Sequence, residues 1–282
     1  MTTPRKDALG DRMKRYENVT RFTLPRRTYT IMRVDGRAFH SWTKGLEKPY
    51  DKNFMECMDR AALALCEQIA GAQCAYVQSD EISILVVDFL DINTEPWFDG
   101  SVQKFASVGS SIATMAFNRM VGNMMEHPTS TSGLLRKIGG KEPNAVFDAR
   151  VFTIPDLIEV ENYFVWRQQD AERNSVMMLA RAHASHKQLA GKKRAEQHEI
   201  IHKAGDNWAK HPTSFKHGRM VRRANLVPVK VSDAGKIVGV GERAWIVDAE
   251  TPIFTRNRDY IRSLVPVIWN DDLLVRKATS NG

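Results

Sequence analysis

The alternation of apolar and polar positions along the chain marks out an ordered set of elements. Thr28 to Asp35 (TYTIMRVD) alternates bulky apolar with polar side chains and runs straight into Gly36, which predicts a strand ending in a tight turn. Phe54, Met58, Ala61, Leu65 and Ile69 recur at steps of three and four, the spacing of one helical face. Two β-type runs, Cys74 to Val77 and Ile82 to Phe89, flank Gln78-Ser79-Asp80-Glu81 and predict a hairpin with a polar tip. From Gln103 to Met125 the set Phe105, Val108, Ile112, Met115 and Met120 fits a second helix, and Ala145 to Phe152 alternates as a strand.

The resulting order, strand-helix-strand-strand-helix-strand, predicts an α+β fold with a palm-like, ferredoxin-like βαββαβ sheet carrying both helices on one face. Residues 1–152 are expected to form this catalytic unit, opening with a basic, polar arm or helix of roughly 28 residues. Residues 153–282 are expected to add helices, at Pro155 to Ser185 and Lys192 to Ala204, and a β-rich stretch from Met220 to Val247, all integrated with the palm. No internal repeat or low-complexity segment interrupts the pattern.

Composition narrows the class. The 282 residues are 43% hydrophobic and 26% charged, enough apolar content for a sizeable core and too much for a disordered chain. A net charge of +8 suits a polyanionic partner, and the basic runs at Lys192 to Arg194 and Lys216 to Arg223 concentrate it in the second half, as an RNA-binding region would. Charge alone supports a solvated basic face equally well. Cys57, Cys66 and Cys74 show no metal-binding spacing and read as buried thiols in a reducing compartment. No apolar run is long enough to span a bilayer, and no export signal is visible at the N-terminus, so a soluble, cytoplasmic protein is expected.

Fold class does not give function, so the side chains must. Nucleotidyl transfer needs Mg²⁺ to neutralise a triphosphate and to acidify an attacking hydroxyl, with one or two protein carboxylates leaving room for phosphate oxygens and water. Asp35 at a strand end and Asp80-Glu81 at the hairpin tip supply such carboxylates. Gly36 lets the backbone turn sharply behind Asp35, leaving its carbonyl toward a metal, while Arg37, Ala38, Phe39 and His40 present amides near a helix start. An Asp-Gly pair is also an ordinary turn, and a polar hairpin tip is ordinarily just solvated. Two acidic tips on one small sheet make the metal reading stronger than either alone. Lys48 and Lys104 are candidate phosphate binders, although an isolated lysine is commonly a solvated charge. Asp148 and Arg150 share one face of the fourth strand, for a mutual or a substrate contact. His183, His186, His198 and His202 sit at helical spacings but lack a third ligand, so exposed helix histidines are expected rather than a metal site.

The runs MRVDGRAFHSWTKGLEKPYD, YVQSDEISILV, FDARVF and WRQQDAERNS, in this order and with GDRMKRYE ahead of them, resemble the tRNA-His guanylyltransferase family across roughly residues 10–225. The resemblance is strongest to its guanylyltransferase-like, 3′-5′ polymerase branch. It implies an enzyme with two Mg²⁺ ions that adds nucleotides to the 5′ end of tRNA, in tRNA repair or tRNA-His guanylylation. In three displacements at phosphorus, the 5′-monophosphate is activated by a nucleoside triphosphate, an incoming 3′-hydroxyl attacks, and pyrophosphate is removed. ATP and GTP are the implied substrates and a homotetramer the implied assembly. Carried over, Asp35, Gly36 and Asp80 hold metal; Glu81 supports the site; Gly36 to His40, Lys48, Ser79, Asp80 and Lys104 contact nucleotide. Enzymes dedicated to tRNA-His carry His-x-Asn-Asn after the WRQ run. Here Glu172 replaces the histidine and Ser175 the second asparagine, which aligns the chain with the broader branch. Two other readings remain on the residues alone: a cyclase-like enzyme acting on free nucleotides, and a non-catalytic RNA-binding protein.

Overall fold

In the computed structural model, which describes residues 7–126, 141–225 and 243–267, the N-terminal segment forms helix α1 (Ala8–Asn18), capped by the Asp7 carboxylate accepting from Gly10 N at 2.9 Å. Strand β1 (Tyr29–Gly36) leads into a one-turn helix α2 (Phe39–Trp42) and then into α3 (Lys52–Gln68). Buried Asp51 caps α3, accepting from Asn53 N and Phe54 N. The hairpin follows as β2 (Ala72–Gln78) and β3 (Glu81–Val86), then α4 (Val102–Glu126) and β4 (Phe147–Ile154). The long helix α5 (Leu157–His183) and the short helices α6 (His186–Leu189), α7 (Arg194–Lys203) and α8 (Thr213–Lys216) precede β5 (Arg219–Asn225), β6 (Arg243–Asp248) and α9 (Arg258–Arg262).

The fold is α+β: one six-stranded sheet, ordered β4-β1-β3-β2-β5-β6 with every pairing antiparallel, and helices on both sides. Alternation along the strands divides two cores. Met32 and Val34 of β1, with Ile82 and Ile84 of β3, pack against Phe54, Met58 and Leu65 of α3 and Phe105, Phe117 and Val121 of α4. Ile31, Leu85 and Tyr76 face the other way, onto Val160 and Phe164 of α5. Residues 219–225 join the same sheet as the strands before residue 152, Cys74 to Val77 of β2 pairing with Arg222 to Arg219 of β5.

Several boundaries differ from the sequence pattern, for local reasons. The apolar run after Ile82 leaves the ladder at Val86, because Asp88 turns aside to accept from Arg27 N at 2.9 Å. Met115, counted with the buried face of α4, is 57% exposed, and Ala113, Phe117 and Val121 carry the contact instead. The stretch from Met220 to Val247 contains most of β5 and most of β6, while its residues 226–242 lie outside the described residues. Cys57, Cys66 and Cys74 are buried free thiols; burial pushes Cys57 and Cys74 up to about 12.

Candidate active site

The register of the sheet decides which carboxylates meet. Asp35 on β1 stands opposite Glu81 on β3 and opposite Asp148 on β4, so three acidic side chains lie abreast on the face turned toward α5. The hairpin tip closes beside them: Gly36 N donates to Asp80 O at 3.0 Å. Ser79, at the tip, takes a left-handed φ of 46°, a conformation that costs a non-glycine residue about 1 kcal/mol or more. The turn after Asp35 is built differently from the sequence expectation. Gly36 has no positive φ; the left-handed residue is Ala38, at φ 55°. Glycine is needed at 36 because an added Cβ would meet the Phe39 ring at 2.4 Å. That ring is buried against Trp42, Phe54, Phe117 and Phe147, and pins the turn to the core. The Phe39 side chain is therefore unavailable to a ligand, leaving its backbone.

The four acids live in unlike surroundings. Burial raises the Asp35 carboxyl above the usual range, and the Asp148 carboxylate adds to the rise. Burial also raises Asp80, with the negative charge of Asp35 contributing. Among the described residues, neither Asp35 nor Asp80 has an ion-pair partner within 4.0 Å. Glu81 is likewise raised by burial, but Arg167 opposes this directly, donating from Nε at 2.8 Å and Nη2 at 2.7 Å. The same guanidinium reaches Asp170 at 3.0 Å and stacks at 4.4 Å over Trp166. Asp148 is exposed and 3.6 Å from Arg150, so those two do pair with each other.

Two adjoining cavities open here. One, of about 350 Å³, is walled by Asp35, Asp80, Glu81, Arg167, Asp170 and Arg181. The other, of about 320 Å³, is walled by His40, Lys48, Tyr50, Phe54 and Arg219 among others, and the two share Gln78, Ser79, Asn174, Met178 and Arg181. The geometry thus gathers Asp35, Ser79, Asp80, Glu81, His40 and Lys48. Arg37 and Ala38 sit on the exposed turn outside both linings, and Lys104 stands apart, its Nζ 5.5 Å over the Phe98 ring. The residues to which sequence reading gave no site role are Arg167, Asp170 and Asn174, within the WRQQDAERNS run, and Arg181 beyond it. Their spacing of three, four and seven places them on one face of α5, a polar stripe that was present in the sequence.

Among the described residues, no group of three or more His, Cys, Asp or Glu side chains is arranged to hold an ion by itself. His183 instead contacts Asp206 at 2.9 Å, and His198 packs edge-on against Trp208. A cation at Asp35 and Asp80 would complete its shell with backbone, water or phosphate oxygens, the shell that Mg²⁺ favours. The residues fit that role: two carboxylates close enough for the charge of Asp35 to raise Asp80, with no salt bridge to either among the described residues. The basic run Lys216 to Arg223 is largely engaged inside the protein. Buried Arg219 donates to Asp59 at 2.6 Å, Arg222 to Asp248 at 3.0 Å, and Arg223 stacks at 4.8 Å on Trp245.

Glu172 and Ser175 also have definite places. Glu172 lies 3.0 Å from His217 Nδ1, and that hydrogen bond holds its carboxyl below the usual range; Ser175 Oγ accepts from Trp208 Nε1 at 2.9 Å. Glu172 borders a third cavity of about 830 Å³ whose walls include Arg173, Arg194 and Arg256, and which shares Asn174 and Met177 with the acidic cleft.

Residues 10–155 match the family model described as Thg1: tRNAHis guanylyltransferase. A bacterial tRNA(His) guanylyltransferase (Thg1)-like protein in complex with ATP superposes with a TM-score of 0.78 at 36% identity, covering 92% of this chain and 100% of that one. Such a protein in complex with GTP gives 0.72 at 35% identity, over 92% and 99%. The tRNA(His) guanylyltransferase of Schizosaccharomyces pombe is 29% identical over 219 residues, 73% of this chain and 77% of its own length. An uncharacterised mimivirus protein, R259, is 32% identical over 186 residues, 62% of each chain. The order of the motifs, the register that brings Asp35 to the hairpin tip, and a match over half of the chain agree: this chain belongs to the tRNA(His) guanylyltransferase family.

Proposed function

We propose that this chain is a Mg²⁺-dependent nucleotidyltransferase that adds nucleotides to the 5′ end of tRNA in the 3′-to-5′ direction, using ATP and GTP, with Asp35 and Asp80 as metal-holding residues. Family membership and the likeness to ATP- and GTP-bound relatives support the enzyme class and its nucleotide substrates. One observation carries the metal assignment: Asp35 and Asp80 are half-buried, the charge of Asp35 bears on Asp80, and among the described residues neither has a salt-bridge partner, whereas Glu81 beside them is matched by Arg167. Mg²⁺, when bound, supplies charge neutralisation of the triphosphate and acidification of the attacking hydroxyl. Asp35 and Asp80 hold it with their carboxylates and Gly36 with its carbonyl. Glu81, locked by Arg167, fixes the hairpin tip against α5 and so supports the geometry.

The strand order β4-β1-β3-β2, with α3 and α4 packed on one face, supports the palm-like, ferredoxin-like reading of the first four strands. Lys48 and His40 line the cavity next to the carboxylates and suit nucleotide phosphate or base; Lys104 has no comparable support. The arginine-walled third cavity beside the cleft suits an RNA backbone. Assembly as a homotetramer comes with the resemblance, and size-exclusion chromatography with light scattering tests it. No helix among the described residues is long and apolar enough to cross a membrane.

The deciding experiment incubates the protein with 5′-truncated, end-labelled tRNAs and each nucleoside triphosphate separately. Templated extension is expected, and it should disappear in Asp80→Ala while RNA binding persists. Full activity of that variant would overturn the metal assignment, and turnover of free nucleotides without any effect of tRNA would favour a cyclase-like enzyme.

A further inference from the structure

Gln78 is the last residue of β2, opposite Glu81 in the hairpin, and its side chain shares the α5-facing side of the sheet with the acidic residues. It is only 4% exposed, yet its Oε1 has no hydrogen-bond partner. A buried amide oxygen left without a donor is costly, so a chain that keeps one at a cavity wall holds an acceptor waiting for a partner. Gln78 stands where the two cavities meet: it lines the acidic one with Asp35 and Asp80 and the neighbouring one with Lys48, His40 and Tyr50.

A nucleoside triphosphate with its phosphates at the carboxylates and its base in the second cavity must pass its sugar across that junction. We infer that Gln78 is a specificity-determining residue that hydrogen-bonds a ribose hydroxyl of the bound nucleotide, an inference that rests on the placement of phosphates at Asp35 and Asp80 proposed above. The chemistry favours a hydroxyl over other nucleotide groups. An amide presents an acceptor at one end and donors at the other, and a half-turn of its terminal torsion exchanges them. A hydroxyl both donates and accepts, so it satisfies the amide in either orientation. Asn174 and Met178 of α5 line both cavities at the same junction.

The test measures binding rather than turnover, by calorimetry on the full chain in magnesium buffer, with GTP, 2′-deoxyGTP and 3′-deoxyGTP. The wild-type protein is expected to bind GTP about tenfold more tightly than one of the two deoxy analogues. In Gln78→Met, which keeps the length and removes the polar end, GTP affinity should fall to that of the weaker analogue. The preference should vanish, while the unfolding temperature stays level or rises because a buried amide oxygen without a donor has been removed from the interior. Equal binding of all three nucleotides by the wild-type protein would overturn the inference without any variant. So would an unchanged preference in folded Gln78→Met. Failure of the wild-type protein to bind GTP at all would instead defeat the underlying nucleotide-site reading, and this inference with it.

Discussion

Asp80 and Glu81 are neighbours in sequence, both sheltered from water, and both raised by burial, yet one has a guanidinium bound to it in two places and the other has none. The contrast extends outward. Behind Glu81 lies a connected network of Arg167, Asp170, Ser83 and Tyr163; around Asp80 lie Asp35 and, one strand further, Asp148. A buried carboxylate that is matched inside the protein holds structure together, and one left unmatched is stored for a cation that comes with the substrate. The proposed metal centre is therefore marked by where compensation stops, rather than by how many acids are present.

Substitutions on either side of that line should separate function from stability. The largest effect is expected from Asp35→Asn and Asp80→Asn, each lowering kcat/KM for 5′ addition at least a thousandfold, about 4 kcal/mol, with RNA affinity retained. Product assays on truncated tRNA beside filter-binding measurements check this. Across the line, Arg167→Met should cost about 3 kcal/mol of stability, since it takes from buried Glu81 its two-point partner and leaves only Arg33, 3.9 Å away. Denaturant unfolding reads that loss, and acidification should recover part of it by neutralising Glu81.

Asp80→Asn should have the opposite thermal effect. Burial lifts the folded-state carboxyl above its ordinary value of 3.8, so the stabilising contribution is complete below that pH and is lost as pH rises through the raised value. At neutral pH the ionised group opposes folding of the metal-free chain. The amide should then raise the unfolding temperature by roughly 2–4 °C, for about 1 kcal/mol, in chelator-treated protein. Added Mg²⁺ should stabilise the wild-type protein and not the variant. The smallest effects divide the lysines: Lys48→Ala should weaken nucleotide binding by up to about tenfold, and Lys104→Ala, remote from both cavities, should leave it within about twofold.

How much of this could be read beforehand follows from the range over which each feature acts. The strand from Thr28, the helix carrying Phe54 to Leu65 and the hairpin around Ser79-Asp80 are written in local periodicity, and each appears in the structure within a few residues. The pairing of Asp35 with Glu81 is a matter of register, which alternation alone leaves open. The contact of Arg167 with Glu81 joins residues 86 apart, and no short window contains both. Gly36 shows a subtler failure. Its identity suggested a backbone turn, whereas the reason for it is an aromatic ring three residues later. Charge counting left two readings of the run holding Arg219, Arg222 and Arg223, an RNA-binding or a solvated basic face, and showed nothing of the intramolecular pairs and stacking that these three make.

The pairing of β2 with β5 constrains how the chain can be cut or made. Strand β2 lies in the middle of the finished sheet, yet the neighbour on one of its sides is not synthesised until residues 219–225, well past the 10–155 segment that carries the family signature. A fragment ending at that boundary would hold Asp35, Asp80 and Glu81 of the cleft and still expose the bare edge of β2, with the backbone of Cys74 to Val77 open to pairing with another chain. On the ribosome the same edge waits through some 140 residues of further translation. Expression of the shortened piece is accordingly expected to yield aggregates, so that the span most recognisable to comparison is not a span that can stand by itself.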